Sequence, residues 1–138
     1  MVTSFLRRPD GRILLLRRSD RVGSYRRRWA GVSGFLERET PLQRARIEIE
    51  EETGLPRRLP RLVRRGRPLA VRATGRSWKV YPFLFGVPDV PISLDWEHTQ
   101  FEWVRPEAIG GRPTVPRLYE TWRAVGARPR AARPDERR

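Results

Sequence analysis

The stretch "RARIEIEEETGL", residues 44–55, places four glutamates, Glu48, Glu50, Glu51 and Glu52, in five consecutive positions. On a helix turning about 100° per residue, Glu48, Glu51 and Glu52 fall within roughly a quarter-turn, and Glu50 points to the opposite side. Carboxylates at i,i+3 and i,i+4 repel by some tenths of a kcal/mol per pair, so the ridge is destabilising unless positive charge offsets it. Arginines could supply that charge and leave a solvated acidic face. A hard divalent cation could supply it instead, since Mg²⁺ takes near-octahedral oxygen ligation from a few carboxylates, waters and phosphate. Six of the 16 acids lie between residues 37 and 52, with Glu37 and Glu39 in the loop entering the same helix. That concentration favours a cation.

The helix that must carry this ridge has clear ends. Thr40 can cap it, Pro41 suits the first helical position and Gln43 completes a capping box. Gly54 sits where a helix stops with a left-handed residue, so the predicted span is 41–53. Leu42, Ala45 and Ile49 form a separate apolar stripe for docking on a sheet. Before the helix, "TSFLRRPDGRILLLRRS" reads as two strands around Pro9-Asp10-Gly11. A basic loop, "DRVGSYRRRWA", and a short glycine-containing strand, "GVSGFLE", complete the approach. After it come a Pro/Arg-rich connection through "LPRRLPRLVRRGRP" and strands "LAVRAT" and "WKVYPFLFGV" joined around Gly75. The loop "PDVPISLDWEHTQ", a strand "FEWV", a helical turn "RPEAI" and a helix "TVPRLYETWRAV" follow. This order predicts an α/β fold, a mixed sheet covered by helices, over residues 1–126, with 127–138 a disordered basic tail.

Bulk properties narrow the classes. A chain of 138 residues fits one domain and no apolar run approaches a membrane span. The N-terminus lacks a signal-peptide layout, and the lack of cysteine makes a reducing cytoplasm the expected location. There is no Cys nucleophile and no Walker loop, and one histidine, His98, argues against a histidine-based zinc site. Formal net charge is +14, and of 30 Lys+Arg only Lys79 is lysine. Genomic composition bias explains that excess as well as attraction to phosphate-rich metabolites or RNA does.

The segment Gly34–Leu55, "GFLERETPLQRARIEIEEETGL", resembles the Nudix box: Gly, five residues, Glu, seven residues, Arg-Glu-aliphatic-any-Glu-Glu-any-Gly-aliphatic. The preceding "RILLLRRS" and the later "EHTQFEWVRPEAI" are similar to family segments in the same positions, so the resemblance covers nearly the whole chain. It implies a Nudix α/β/α sandwich and hydrolysis of a diphosphate linkage in a nucleoside diphosphate joined to another group, with Mg²⁺ or Mn²⁺. It implies Glu48 and Glu52 as principal metal ligands, Glu51 as ligand or base, and Gly34, the box glycine, as part of that set. Glu39 corresponds to the glutamate ahead of the helix. Some family members take the base from the later loop, where Glu97 is the candidate and Glu102 the second choice.

Two departures stand out. Four residues rather than five separate Gly34 from Glu39, and Ile47 occupies the box arginine position. Arg46 lies about 100° away around the helix, whereas Arg44 is one turn before Glu48 on the same edge. Arg44 is therefore the expected substitute for orienting the carboxylates. The alternative is a catalytically weakened Nudix-like module that binds nucleotide or RNA. Tyr25, Trp29, Trp78, Tyr81 and Trp96 offer stacking surfaces for a base, core packing being the commoner use of each. Arg28, with Arg26 and Arg27, offers a grip on polyphosphate. ADP-ribose-like compounds, (d)NTPs, dinucleoside polyphosphates and RNA 5′ ends all stay open as substrates, as does a homodimer; no membrane partner is expected.

Overall fold

The computed structural model describes residues 1–126, and the expected basic tail, 127–138, lies outside the described residues. Eight strands form one mixed sheet: β1 (Val2–Arg7), β2 (Ile13–Arg18), β3 (Trp29–Ala30), β4 (Val32–Gly34), β5 (Arg61–Arg65), β6 (Leu69–Ala73), β7 (Arg76–Gly86) and β8 (His98–Val104). The order is β3-β2-β1-β7-β5, with β4 paired to β1, β8 to β2 and β6 to β7. β1 runs parallel to β7 over Val2–Arg7, and every other pairing is antiparallel.

The run "ILLL" in β2 is apolar without alternation because both faces of the sheet are covered. Leu14 and Leu16 point to one side, with Leu6, Phe83, Phe85 and Ala45 and Ile49 of helix α1 (Pro41–Thr53). Ile13 and Leu15 point to the other, with Phe5, Leu84 and Leu118 and Trp122 of helix α2 (Leu118–Arg123). Phe5 and Trp122 meet edge to face at 5.4 Å. A sheet sandwiched between two helical layers results, the expected α/β/α arrangement.

Helix α1 occupies the span read from its caps. Thr40 accepts from the Gln43 backbone N–H, Gln43 accepts from the Thr40 backbone N–H, and Gly54 closes the helix at φ 77°. Leu42 packs at the margin of the core that Ala45 and Ile49 enter. Glu50 faces solvent and pairs with Arg57.

Four expectations need correction. Residues 61–65, read as connection, form β5, an edge strand on β7; its arginines hid the apolar alternation of Leu62 and Val63. Trp29–Ala30, read as loop, pairs with β2 as β3. The last strand starts at His98, not Phe101, because β2 is long enough to pair with it from Val104 back to His98. The terminal helix begins only at Leu118, because Arg117 adopts a left-handed φ of 59° just after Pro116.

Replacing Thr40 by Ala removes one arm of the capping box and is expected to lower stability by about 1 kcal/mol. Denaturant unfolding checks this as a lower midpoint with an unchanged slope; an unchanged midpoint would deny the cap its role.

Candidate active site

The ridge lies where α1 crosses the end of β4. Gly34, the last residue of β4, backs directly onto Glu48: a Cβ on Gly34 would come within 2.2 Å of the Glu48 carboxyl. Only glycine lets strand and helix approach this closely with a carboxylate between them. Glu48 is therefore nearly buried, and Arg44 holds it: Nη1 donates to Glu48 Oε2 at 2.8 Å while Nη2 donates to Glu39 Oε1 at 2.8 Å. Glu37 lies 3.6 Å from the same guanidinium. The hydrogen bond from Arg44 holds the Glu39 carboxyl down at about 2. Arg46, by contrast, turns to the back of the helix, donating to the carbonyls of Arg57 and Pro60. The half-buried Ile47 leaves the box arginine position without a cation, and Arg44 is the one bridging the carboxylates.

Glu52 is more extreme. It is 1 % exposed, and among the described residues its Oε2 has no hydrogen-bond partner. Burial, with Glu48 beside it, pushes its carboxyl well above the usual range. Its Oε1 faces His98 Nε2 at 3.7 Å, and Asp95 holds the other ring nitrogen, Nδ1, at 2.9 Å. Burial also pushes the His98 imidazole downward. Asp95, Glu97 and His98 bring ligand atoms within 4.8 Å of one another. Glu97 is raised by burial first and by the Asp95 charge second.

Some of these groups border a cavity of about 680 Å³, with Glu39, Glu52 and His98 outside its lining. Gly34, Arg44, Glu48, Glu51, Asp95 and Glu97 line its acidic end. Arg18 also lines the cavity: its Nε donates to the Ser24 carbonyl, and among the described residues it has no carboxylate within ion-pair distance. The pairing of β2 with β8 shifts register between Arg17 and Arg18. A bulge of this kind re-aims a side chain. The far wall carries Tyr25, Trp78, Phe35 and Trp96, the last two 57 % and 56 % exposed. Tyr25 reaches Thr74 across the rim at 3.4 Å.

The other sequence candidates lie elsewhere. Trp29 packs against the α2-side core under Arg112, and Arg28 reaches the Thr114 carbonyl; neither lines the cavity, because β3 points them along the opposite edge. Glu102 is held by Arg112 at 2.7 Å and is also outside it. Tyr81 sits below Lys79, away from the lining. Sequence reasoning missed Arg18, Phe35, Asp95 and His98. Only the "DWEHT" cluster carried a signal, a run of ligand-type side chains in one loop.

An all-oxygen carboxylate set with one adjoining imidazole suits Mg²⁺ or Mn²⁺ rather than a thiophilic metal. The unpartnered, buried Glu52 oxygen is the observation that fits a cation here, since a bare buried carboxylate costs several kcal/mol to ionise without one.

Comparison with known proteins agrees with the geometry. The MutT protein of Methanosarcina mazei Go1 superimposes with TM-score 0.69 at 26 % identity, covering 86 % of this chain and 84 % of that one. An Ap4A hydrolase of C. elegans gives TM-score 0.72 at 19 % identity over 89 % and 90 %, a likeness of fold alone. A curated Myxococcus xanthus octanoyltransferase is 38 % identical over 103 residues, 71 % of this chain, and the chain spans only 28 % of that relative's length. Residues 1–124 match the family model of the NUDIX domain, and on that span the chain belongs to the Nudix hydrolase family.

Proposed function

We propose that this protein hydrolyses a diphosphate linkage in a nucleoside diphosphate derivative, using Mg²⁺ or Mn²⁺ held by Glu48, Glu51 and Glu52, with Glu97 from the facing loop. The observation that carries the reading is the buried Glu52 carboxylate, with an unpaired oxygen, lying behind Glu48, which itself lines a nucleotide-sized cavity. When bound, a divalent ion would neutralise phosphate charge and acidify an attacking water. The remaining steps belong to side chains. Arg44 fixes Glu48 by a bond to each partner carboxylate. Glu97, its pKa raised, accepts the proton of the water. Arg18 offers its terminal nitrogens to a phosphate oxygen, and Phe35, Trp96, Trp78 or Tyr25 supply faces for a base. An Ap4A hydrolase of the same fold fits this class of substrate. The octanoyltransferase name describes a much longer relative; acyl transfer through a thiol has no group to use here, since the chain lacks cysteine. Ile47 favours the weakened binding module over the enzyme, but the Arg44 bridge supplies the orientation that the missing arginine would give.

A panel of nucleoside diphosphate sugars, (d)NTPs and dinucleoside polyphosphates with Mg²⁺ should show release of nucleoside monophosphate. Glu52→Gln should cut turnover by about two orders of magnitude or more. Binding without turnover on every compound would leave only the module reading.

Arg44→Ala should lower turnover about 10- to 100-fold, and Arg44→Lys should recover only part, because an ammonium cannot bridge two carboxylates with a planar fork. An unchanged rate in Arg44→Ala would exclude the positioning role.

The raised Glu52 pKa sets a pH dependence. Without metal, the folded state holds the Glu52 proton more tightly than the unfolded chain does, so stability is full in acid and falls as pH rises through the folded pKa. The melting temperature measured in EDTA should thus decline with pH above the ordinary carboxylate range. Added Mn²⁺ should remove most of that decline, as should Glu52→Gln; an identical slope in wild type and variant would contradict it.

A further inference from the structure

The 36 positions from Thr53 to Pro88 contain no Asp or Glu and nine Arg or Lys. They form β5, β6 and β7, which build one ribbon: β5 pairs the second half of β7 and β6 pairs the first half, on the same edge. Alternation along β7 puts Ser77, Lys79, Tyr81, Phe83 and Phe85 on one face, opposite the cavity-lining Arg76 and Trp78. Cross-strand register adds Arg72, opposite Ser77, and Arg65, opposite Phe83, to that same face. Lys79 lies over the Tyr81 ring at 5.4 Å and Arg65 over Phe83 at 5.9 Å. These rings carry the cation stems and keep the charged heads at the surface, where Arg65, Arg72 and Lys79 are all exposed.

No carboxylate takes these three charges: among the described residues, only Arg57 of the nine cations has an acidic partner, Glu50. Asp89, the next acid along the chain, lies 3.8 Å from Arg8. The result is a staggered row: Arg72 on β6 level with Ser77, Lys79 on the neighbouring β7, and Arg65 on β5 level with Phe83, with steps along the ribbon of about 7 and 13 Å and a sideways offset of one strand spacing, about 5 Å. We propose that the exposed margin of this face, carrying Arg65, Arg72 and Lys79 beside the part of β7 that α1 covers, is a docking strip for one phosphodiester strand, a single-stranded nucleic acid bound through its backbone. A row only about one strand spacing wide matches one strand of phosphates and is too narrow for the two backbones of a duplex. Counter-ion release from the phosphates drives such binding and makes it independent of sequence. The strip lies on the opposite face of the ribbon from the cavity and stands whether or not the cavity hydrolyses anything.

The test is fluorescence anisotropy with a labelled mixed-sequence single-stranded oligoribonucleotide over a range of salt. Two triple variants are compared, Arg65→Glu/Arg72→Glu/Lys79→Glu on the strip and Arg12→Glu/Arg105→Glu/Arg123→Glu elsewhere, which remove the same total charge. The strip triple should lose affinity by about tenfold or more, and its log–log salt slope should fall by roughly 2, three phosphates at ~0.7 each. The control triple should lose much less. Equal losses would show diffuse attraction to net charge and overturn the proposal, as would no binding by the wild type. Tighter binding to a duplex or to anionic phospholipid vesicles than to the single strand would overturn it too. The neutral set Arg65→Gln/Arg72→Gln/Lys79→Gln, with a melting curve beside it, guards against a folding defect and should give a smaller loss in the same direction. Turnover in the cavity should be unchanged by either strip variant.

Discussion

Everything in this molecule that could do chemistry hangs on a carboxylate placed where carboxylates do not belong. Glu52 is sealed between α1 and the sheet with one oxygen unpaired, and Glu48 is pressed against Gly34 a turn away. Ionised and alone, such a pair would cost several kcal/mol, a large share of the stability margin of a small domain. The fold tolerates it because Arg44 neutralises Glu48 from the side and because Glu52 can keep a proton until something positive replaces it. A site that stores a proton on a buried carboxylate is also a site poised to exchange that proton for a cation, so affinity and pH are linked by construction.

The rest of the architecture serves that placement. A helix can be driven into a sheet only if its inward face is apolar, and Ala45 and Ile49 supply that face just one step around from the acids. The capping box and the left-handed Gly54 fix where the helix starts and stops, which sets the rotation of Glu48, Glu51 and Glu52 relative to β4. A helix one residue out of register would turn the ridge by about 100° and put Glu51 or Thr53 in the place of Glu52. Gly34 completes the fit by having no side chain.

This division explains what could be read from sequence. Local signals were sufficient for α1, because caps and periodicity act over a few residues, and for the β1–β2 and β6–β7 hairpins, because turn residues do too. Arg44 was legible for the same reason: an i,i+4 partner is fixed by helix geometry. β5 was not, because an edge strand takes its identity from β7, about twenty residues on, and arginine covers its pattern. Arg28 and Trp29 looked like a phosphate and base grip beside the box strand, but their direction is set by pairing with β2 and by Thr114, contacts no local pattern records. Arg18 enters the cavity through a bulge between β2 and β8, Asp95 through the loop before β8, and His98, at the start of β8, meets Glu52 behind the lining. Those are long-range facts.

Charge along the chain then makes sense as two opposed fields. The surface is arginine-rich and net positive, so a polyanion feels attraction well before contact, within a Debye length of about 8 Å at physiological salt. At the acidic end of the cavity the sign reverses: Glu48, Glu51, Asp95 and Glu97 line it together, and a bare phosphate entering there meets repulsion that Arg18 and Arg44 ease in part. Arg44 is already committed to Glu39 and Glu48. Attraction outside and repulsion at the end point make sense together if the anion arrives with, or finds, a divalent ion that reverses the local sign. A protein built only to hold nucleotides would do better with those carboxylates replaced by the arginine it has in such excess; keeping them together, with Glu48 and Glu52 buried at a cost in stability, is what a catalyst of phosphate chemistry does and a binder has no reason to do.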